Sequence, residues 1–136
     1  MTTSSSSNKK LNIALWVVQS LLAAMFLMSG VMKLTSPIET IAESLPWVTA
    51  VPVALVRFIG LSELTGALGL LLPSIFKIKP QLTVWAARGL IAIMVLASVF
   101  HASRGEFSTI GMNVVLMAIA LFIAWGRSKK APIQPR

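Results

Sequence analysis

Long apolar runs alternate along the chain with short polar segments. The apolar runs carry few charges and occupy residues 11–32, 51–72, 82–100 and 107–125. A hydrocarbon core about 30 Å thick requires roughly 20 apolar residues in a helix, which is close to the length of each run. The pattern therefore predicts an all-α membrane protein in which four transmembrane helices form an up-down bundle. A closed β-barrel is excluded because the runs show no alternation with a period of two.

The second run is the least regular of the four, because Arg57 and Glu63 interrupt it. Each charge near the centre of a span costs about 2.5–3.5 kcal/mol on insertion scales. The alternative, a re-entrant or soluble segment, is disfavoured because no long polar region is present to solvate it. Pro52 and Pro73 suit the two ends of a helix, so we interpret this run as the second span.

The segment between the first two spans has helical features of its own. Residues 36–39, with the sequence SPIE, match a capping box that has proline at the first helical position. Ile38, Ile41 and Leu45 then fall on one helical face. We predict a short amphipathic outer helix over about residues 37–45, lying on the membrane surface opposite the termini.

Composition supports the membrane interpretation. Of the 136 residues, 56% are hydrophobic and only 12% are charged, and the mean hydropathy is +0.83. A soluble domain carries roughly 25% charged residues, so most of this surface cannot face water. The chain has no cysteine, which removes disulfides, thiolate zinc sites and iron–sulfur clusters. Because it also has a single histidine, we predict no metal site.

The net charge of +8 could indicate nucleic-acid binding, but the positions of the charges indicate membrane topology instead. Eight lysines and arginines lie near the termini or between the second and third spans, against two on the opposite side. Since basic residues accumulate on the cytoplasmic side, we expect both termini to be cytoplasmic and no nucleic-acid partner. Residues 1–10 are predicted to be a disordered tail, 11–127 the membrane domain and 128–136 a basic tail.

Three polar side chains are predicted to lie within the membrane: Gln19, Glu63 and Arg88. Ionisable residues at this depth either serve a function or pair with one another. A short loop joins spans two and three, and the two charges differ in depth by roughly 4–5 Å, which an arginine side chain can cover. We therefore predict a Glu63–Arg88 ion pair. Whether Glu63 is structural or a ligand or proton site stays open.

Small residues favour close helix contacts around Glu63. In lipid, small side chains let helices approach closely, and such residues flank Glu63 at helical spacing. In the first span, Gln19, Phe26 and Lys33 recur every seven residues and define an inward-facing seam. The predicted packing residues are Gly30, Gly60, Ser62, Gly66 and Gly69.

Further polar side chains are predicted near the outer mouth of the bundle. Lys33 ends the first span, and Arg57 lies in the outer half of the second, about 120° around the helix from Glu63. His101 ends the third span, and we interpret it as a residue that orders this end, with a proton-transfer or ligand role as the alternative. Asn113 lies near the outer end of the fourth span.

Several short motifs occur in order along the chain. They are GVMK at residues 30–33, Pro37, ELTGALGL at residues 63–70, the segment 87–94 followed by Ala97 and His101, and Gly126-Arg127. Together they resemble the DoxX-like family of small four-helix membrane proteins. The resemblance covers residues 11–127 and leaves out both tails.

The resemblance implies a function only in broad terms. The family shares its name with a membrane subunit of an archaeal thiosulfate:quinone oxidoreductase, and wider relatives look like accessory or scaffold proteins for membrane-associated redox and stress systems. We therefore expect a multi-pass protein of the bacterial cytoplasmic membrane. Its expected role is that of a non-catalytic accessory or scaffold subunit.

Two alternative functions stay open. A small proton-coupled transporter could use Glu63, and a quinone-binding oxidoreductase subunit could hold a quinone with residues such as Lys33 or His101. No other cofactor is predicted. The expected partners are the lipid bilayer and a membrane or redox protein, and a homo-oligomer is also compatible with the sequence.

Overall fold

The computed structural model describes residues 2–136, with side chains from residue 8 onward. The described chain is 86% helical and has no strand. Four helices in this part of the chain are long and apolar enough to cross a membrane, which confirms the predicted all-α bundle. The elements are α1 (Thr2–Thr35), α2 (Ile38–Ser44), a 3₁₀ helix (Pro46–Ala50), α3 (Val53–Phe76), α4 (Gln81–Ser103), α5 (Phe107–Trp125) and a π-helical turn (Gly126–Lys130).

The two ends of the bundle are distinguished by the segments that they carry. At one end, Arg127 donates a hydrogen bond to Asn12 of α1. At the same end, the backbone N–H of Arg136 donates to the carbonyl oxygen of Lys77, in the α3–α4 loop, at 2.9 Å. We call this the termini end. The opposite end, with α2, the 3₁₀ helix and the α4–α5 turn, is the hairpin end.

Apolar side chains fill the interior between the four long helices. Leu22 and Phe26 of α1, Leu70 of α3, Leu90 of α4 and Ile123 of α5 are all buried. Many large apolar side chains also face outward, as expected for helices that contact lipid on one side and protein on the other. Because lipid tails are as apolar as this interior, close packing must contribute much of the helix association.

Two glycines bring α1 and α3 into backbone contact. A Cβ atom added at Gly30 would lie 2.7 Å from the carbonyl oxygen of Gly60. One added at Gly60 would lie 2.8 Å from the Cβ of Lys33. Any side chain at either position would have to push the two helices apart, so this contact fixes how α1 and α3 face each other.

Glycines on α3 also admit side chains of α4. A Cβ at Gly66 would lie 2.6 Å from a methyl group of Leu90, and one at Gly69 would lie 2.7 Å from the Cβ of Ala86. Ser62 behaves differently, because its hydroxyl donates to the carbonyl of Phe58 in its own helix at 2.9 Å. The close α3–α4 contacts therefore come from the glycines.

The second span is longer than the apolar run suggests. α3 continues through Pro73 to Phe76, so the prediction that Pro73 ends the helix was wrong. Proline removes one hydrogen bond and crowds the carbonyl one turn earlier, but it does not stop a helix whose last turn is held from outside. Ser74 supplies such a contact, because its hydroxyl lies 2.7 Å from that of Thr83, at the start of α4.

The predicted outer helix is present, but its capping is different. α2 spans Ile38–Ser44, within the predicted residues 37–45. Pro37 occupies the N-cap position and no side chain of the described residues caps the helix, so the predicted capping box does not form. With only seven residues, α2 depends on tertiary contacts more than on its caps. Buried Ile41 packs in a small cluster with Val48 and Val56, which anchors α2 to the start of α3.

At the N-terminus the helix extends beyond the apolar run. α1 begins at Thr2, so residues 2–10, which we predicted as a disordered tail, are helical here. Met1 lies outside the described residues. At the other terminus, the π-helical turn continues directly from α5, and it carries Arg127 and two lysines of the basic segment.

Candidate functional site

The central feature of the membrane domain is a buried ion pair between α1 and α3. Lys33 Nζ donates to Glu63 Oε1. Glu63 is 2% exposed and Lys33 is 8% exposed, so both charges are almost completely removed from solvent and lipid. A buried carboxylate and ammonium are tolerated when they neutralise each other and their remaining hydrogen-bonding groups are satisfied.

Neighbouring groups hold the lysine in place. Lys33 Nζ also donates to the hydroxyl of Ser29, one turn earlier on α1, at 3.0 Å. Its ammonium lies 5.7 Å from the ring centroid of Trp47, which follows α2. Arg57 donates to the carbonyl oxygens of Lys33 and Ser36 at 2.8 and 2.7 Å. Arg57 thereby completes the end of α1 rather than pairing with Glu63.

The predicted Glu63–Arg88 ion pair is wrong, because Lys33 is the partner of Glu63. Arg88 is exposed on α4, with its guanidinium 4.9 Å from the ring centroid of Trp85. Since α3 ends at Phe76 and α4 begins at Gln81, Glu63 lies thirteen residues from the connecting loop and Arg88 seven. Six residues correspond to roughly 9 Å along the helix axis, about twice the predicted offset.

A second group of polar side chains lies at the hairpin end. His101 Nδ1 lies 3.0 Å from Glu106 Oε1, and Arg104 Nε donates to the same oxygen at 2.8 Å. The His101 ring makes an edge contact with Trp47, centroid to centroid 6.0 Å. The hydrogen bond with His101 and, next, that with Arg104 lower the pKa of Glu106 below the ordinary 4.5. Trp47 therefore links this surface group to Lys33.

Asn113 stands apart from both groups. It is buried in α5, and its Nδ2 has no hydrogen-bond partner among the described residues. Ser98 Oγ on α4 is likewise buried without a partner there. Neither residue is hydrogen-bonded to the Lys33–Glu63 pair in the described structure.

A further polar network lies at the termini end and was missed by the sequence interpretation. Gln19 Nε2 donates to the carbonyl of Leu70 at 2.7 Å, and Gln19 Oε1 accepts from Arg127 Nε at 2.6 Å. Arg127 Nη1 donates to Asn12 Oδ1 at 2.6 Å and to the carbonyl of Ala131 at 2.8 Å. The position of Arg127 at the start of a basic segment had suggested that its charge is solvated. The available signal was its pairing with Gly126 in the last of the quoted motifs.

Apolar side chains separate the two buried polar groups. Gln19 and Lys33 lie on the same helix, fourteen residues or roughly 21 Å apart. Between them, Leu22 and Phe26 pack with Leu70 in the buried core. No continuous line of polar groups therefore joins the Lys33–Glu63 pair to the Gln19–Arg127 network in the described structure.

The chain offers few groups that could hold a metal or cofactor at these sites. No three histidine, cysteine, aspartate or glutamate side chains come together in the part of the chain that the structure describes. A shallow groove of about 580 Å³ lies along the outer surface of α1, near Ser29 and Met32. A more enclosed cavity of about 330 Å³ lies at the termini end.

Comparison with known proteins agrees with this architecture. A family model described as the DoxX-like family matches residues 17–123, which include all of α3 and α4 and most of α1 and α5. No curated protein and no solved structure matches the chain.

Proposed function

Because this chain belongs to the DoxX-like family, we propose that it is a non-catalytic accessory or scaffold subunit of a membrane-associated redox or stress system. The observation that carries the proposal is the Lys33–Glu63 ion pair. Glu63 is the carboxylate on which a proton-coupled transporter would depend, and Lys33 is bound to it. In this protein, that group is neutralised and shielded.

The surroundings of the pair favour a structural role. Lys33 contacts Ser29 and Trp47, and its stem lies against Gly60, where no larger residue would fit. Breaking a buried ion pair by removing one partner costs about 3–5 kcal/mol, so the pair strongly favours one pairing of α1 with α3. A rigid bundle of this kind suits a protein whose task is to hold a partner in place.

The outer faces of α4 and α5 provide room for a partner helix. Gly89 and Gly111 are exposed, and a Cβ added at either would meet no atom of the described residues within 4 Å. Exposed glycines let a neighbouring helix approach closely in lipid. Because there is space for a side chain at Gly89 and Gly111, both can be changed without disturbing the bundle. They are therefore useful positions at which to test for a partner.

The proposal is tested by affinity capture of tagged protein from its own membranes in mild detergent, with mass spectrometry of proteins and lipids. We expect a membrane or redox protein at near-stoichiometric amounts. Gly111→Leu should reduce its recovery if α5 forms the contact, whereas Gly89→Leu, the same change at an open glycine of α4, is the matched control. Recovery of homogeneous protein without a partner would contradict the accessory role, and copurified quinone would instead favour the quinone-binding alternative.

A second candidate, proton-coupled transport through Glu63, has one observation in its favour. Polar and aromatic groups lead from Glu106 at the hairpin end through His101 and Trp47 to the Lys33–Glu63 pair. The apolar side chains around Phe26 would have to separate for a proton to continue toward the termini end. Proton flux into liposomes that contain the protein, abolished in Glu63→Gln, would support transport, and no flux above empty liposomes would contradict it.

The charge distribution supports an orientation for the bundle. Lysines and arginines outnumber acids at the termini end, where the sequence has no aspartate or glutamate. The hairpin end carries Glu39, Glu43 and Glu106. By the positive-inside rule we propose that the termini end faces the cytoplasmic side of a bacterial membrane.

A further inference from the structure

The cavity at the termini end has the chemistry of an anion site. It lies between the first turns of α4, the π-helical turn and the C-terminal tail, and it has a volume of about 330 Å³. The lining includes two arginines, Arg88 of α4 and Arg127 of the π-helical turn, together with Trp85. No acidic residue is among the described residues that line it.

Arg127 is the most unusual of the lining residues, because it is a buried cation that forms no ion pair in the described part of the chain. It is only 3% exposed. Its Nε and Nη1 donate to Gln19, Asn12 and the carbonyl of Ala131, all of which are neutral groups. Its Nη2 is buried and has no hydrogen-bond partner among the described residues. One donor of the guanidinium fork is therefore left unused in a residue that lines the cavity.

No carboxylate side chain of the chain can neutralise this charge. The sequence has four acidic residues, Glu39, Glu43, Glu63 and Glu106. Glu63 is paired with Lys33, and the other three belong to the hairpin end. The guanidinium of Arg127 lies 5.3 Å from the ring centroid of Trp16, and it forms no ion pair within the described residues. Since a buried charge without an anion is costly, an anion bound at the cavity would stabilise it.

Two further features at the cavity favour an anion. The guanidinium of Arg88 lies over Trp85 at 4.9 Å, so the ring holds it beside the cavity while no side-chain hydrogen bond occupies it in the described structure. Pro80 and Gln81, at the N-terminus of α4, also line the cavity. Leu82 and Thr83 donate their N–H groups to the carbonyl oxygens of Lys79 and Pro80, but the first turn of this 23-residue helix still carries a partial positive charge, which favours an anion.

From this arrangement we propose that the cavity formed by Arg88, Arg127 and the N-terminus of α4 binds a phosphate group. The guanidinium of Arg88, the unused Nη2 of Arg127 and the positive end of α4 together match the several acceptor oxygens of a phosphate better than they match a single carboxylate. The group belongs either to a phospholipid headgroup or to a soluble phosphate compound. The proposal goes beyond the accessory role and does not depend on it.

The test measures thermal unfolding of the full chain in a neutral detergent with three additives. The first is inorganic phosphate against chloride at equal ionic strength. The second is phosphatidylglycerol in mixed micelles, and the third is a phosphate-free glycolipid with the same acyl chains. We expect phosphate, phosphatidylglycerol or both to raise the unfolding temperature above the chloride and glycolipid controls. Stabilisation by phosphatidylglycerol alone identifies a lipid headgroup, and stabilisation by inorganic phosphate identifies a soluble source.

Variants show whether the arginines carry the effect. Arg88→Gln lies at an exposed position outside the polar network. It should lower the apparent affinity for the stabilising additive by roughly 10-fold, the size expected for one charge-assisted hydrogen bond. Lys129→Gln is the control, because Lys129 is exposed at the same end and does not line the cavity. It removes the same charge and should change the apparent affinity for the additive by less than twofold. Equal losses in both variants, or no stabilisation of the wild-type chain by either phosphate additive, would overturn the proposal.

Discussion

Lys33 and Glu63 lie three residues beyond Gly30 and Gly60, the two glycines that bring α1 and α3 into contact. The two helices run in opposite directions, and helical side chains lean toward the N-terminus of their own helix. Lys33 therefore leans toward the termini end and Glu63 toward the hairpin end, so that the two side chains lean toward each other. The glycine contact and the ion pair are consequently one unit, GxxK on α1 facing GxxE on α3.

Substitution at this contact should be costly. Gly60→Ala would place a methyl group 2.8 Å from the Cβ of Lys33 and 2.9 Å from the carbonyl oxygen of Gly30. Because both neighbours are close to or part of the backbone, we expect a loss of about 1–3 kcal/mol in the free energy of unfolding, the usual range for overpacking. Gly89→Ala, at an open position, is the control for helix propensity and should be neutral or stabilising. Similar unfolding curves for Gly60→Ala and the wild type would contradict the proposed close contact.

The ion pair should behave as a coupled unit in unfolding titrations. Glu63→Gln and Lys33→Met each leave one buried charge without its partner, so each should cost about 3–5 kcal/mol. The double variant Lys33→Met/Glu63→Leu removes both charges and should recover most of that loss, since apolar replacements of buried pairs are often close to neutral. Additive losses in the double variant would show that the two residues are not coupled. A stable Glu63→Gln protein that has lost an activity would instead point to a functional carboxylate.

The hairpin end should lose stability in acid. Hydrogen bonds from His101 and Arg104 lower the pKa of Glu106 in the folded protein below 4.5. A carboxyl group with a lowered folded-state pKa stabilises the protein above its ordinary pKa, and that contribution disappears as the pH falls through the lowered value. We therefore expect Glu106→Gln to unfold at a lower temperature than the wild type near neutral pH, with the difference closing as the pH falls below 4.5. A difference that stays constant down to strongly acidic pH would contradict the role of the carboxylate.

The absence of cysteine from the sequence makes the orientation easy to measure. Ser103→Cys places a thiol on an exposed residue at the hairpin end, and Ser128→Cys places one at the termini end. In intact cells, a membrane-impermeant maleimide should label the cysteine at position 103, while the cysteine at position 128 should react only after permeabilisation. The reverse pattern would place the termini end outside and would contradict the orientation inferred from the basic residues.

The spans were predictable from the sequence because their signal is a long apolar run, which does not depend on how the helices are arranged. The inward positions of Gln19 and Lys33 were also predictable from the sequence, because a seven-residue spacing identifies one helical face. The partner of Glu63 could not be predicted from the sequence, because it depends on which helices are adjacent and how each is rotated. The short α3–α4 loop suggested that α4 supplies the partner of Glu63. The glycine contact instead brings α1 beside Glu63, and Lys33 of α1 is the partner.

The burial of Arg127 in a polar network could not be predicted from its position in the sequence, for a similar reason. It begins a basic segment that reads as a solvated tail, and its burial results from the π-helical turn that extends α5. That turn carries the guanidinium back to Gln19 and Asn12 of α1, more than 100 residues earlier in the chain. The Gly126-Arg127 motif marks the residue, but its partners are set by the packing of the bundle and cannot be read from the local sequence.

The pairing of Lys33 with Glu63 also has a consequence for biogenesis. Spans are synthesised in order, so α1 is already in the bilayer when the ribosome delivers α3 to the insertion machinery. A carboxylate entering lipid alone is costly, and its compensating lysine lies on a helix inserted thirty residues earlier. The short segment that contains α2 limits how far α1 can lie from α3, so we expect Glu63 to meet Lys33 early and to enter the lipid as half of a neutral pair.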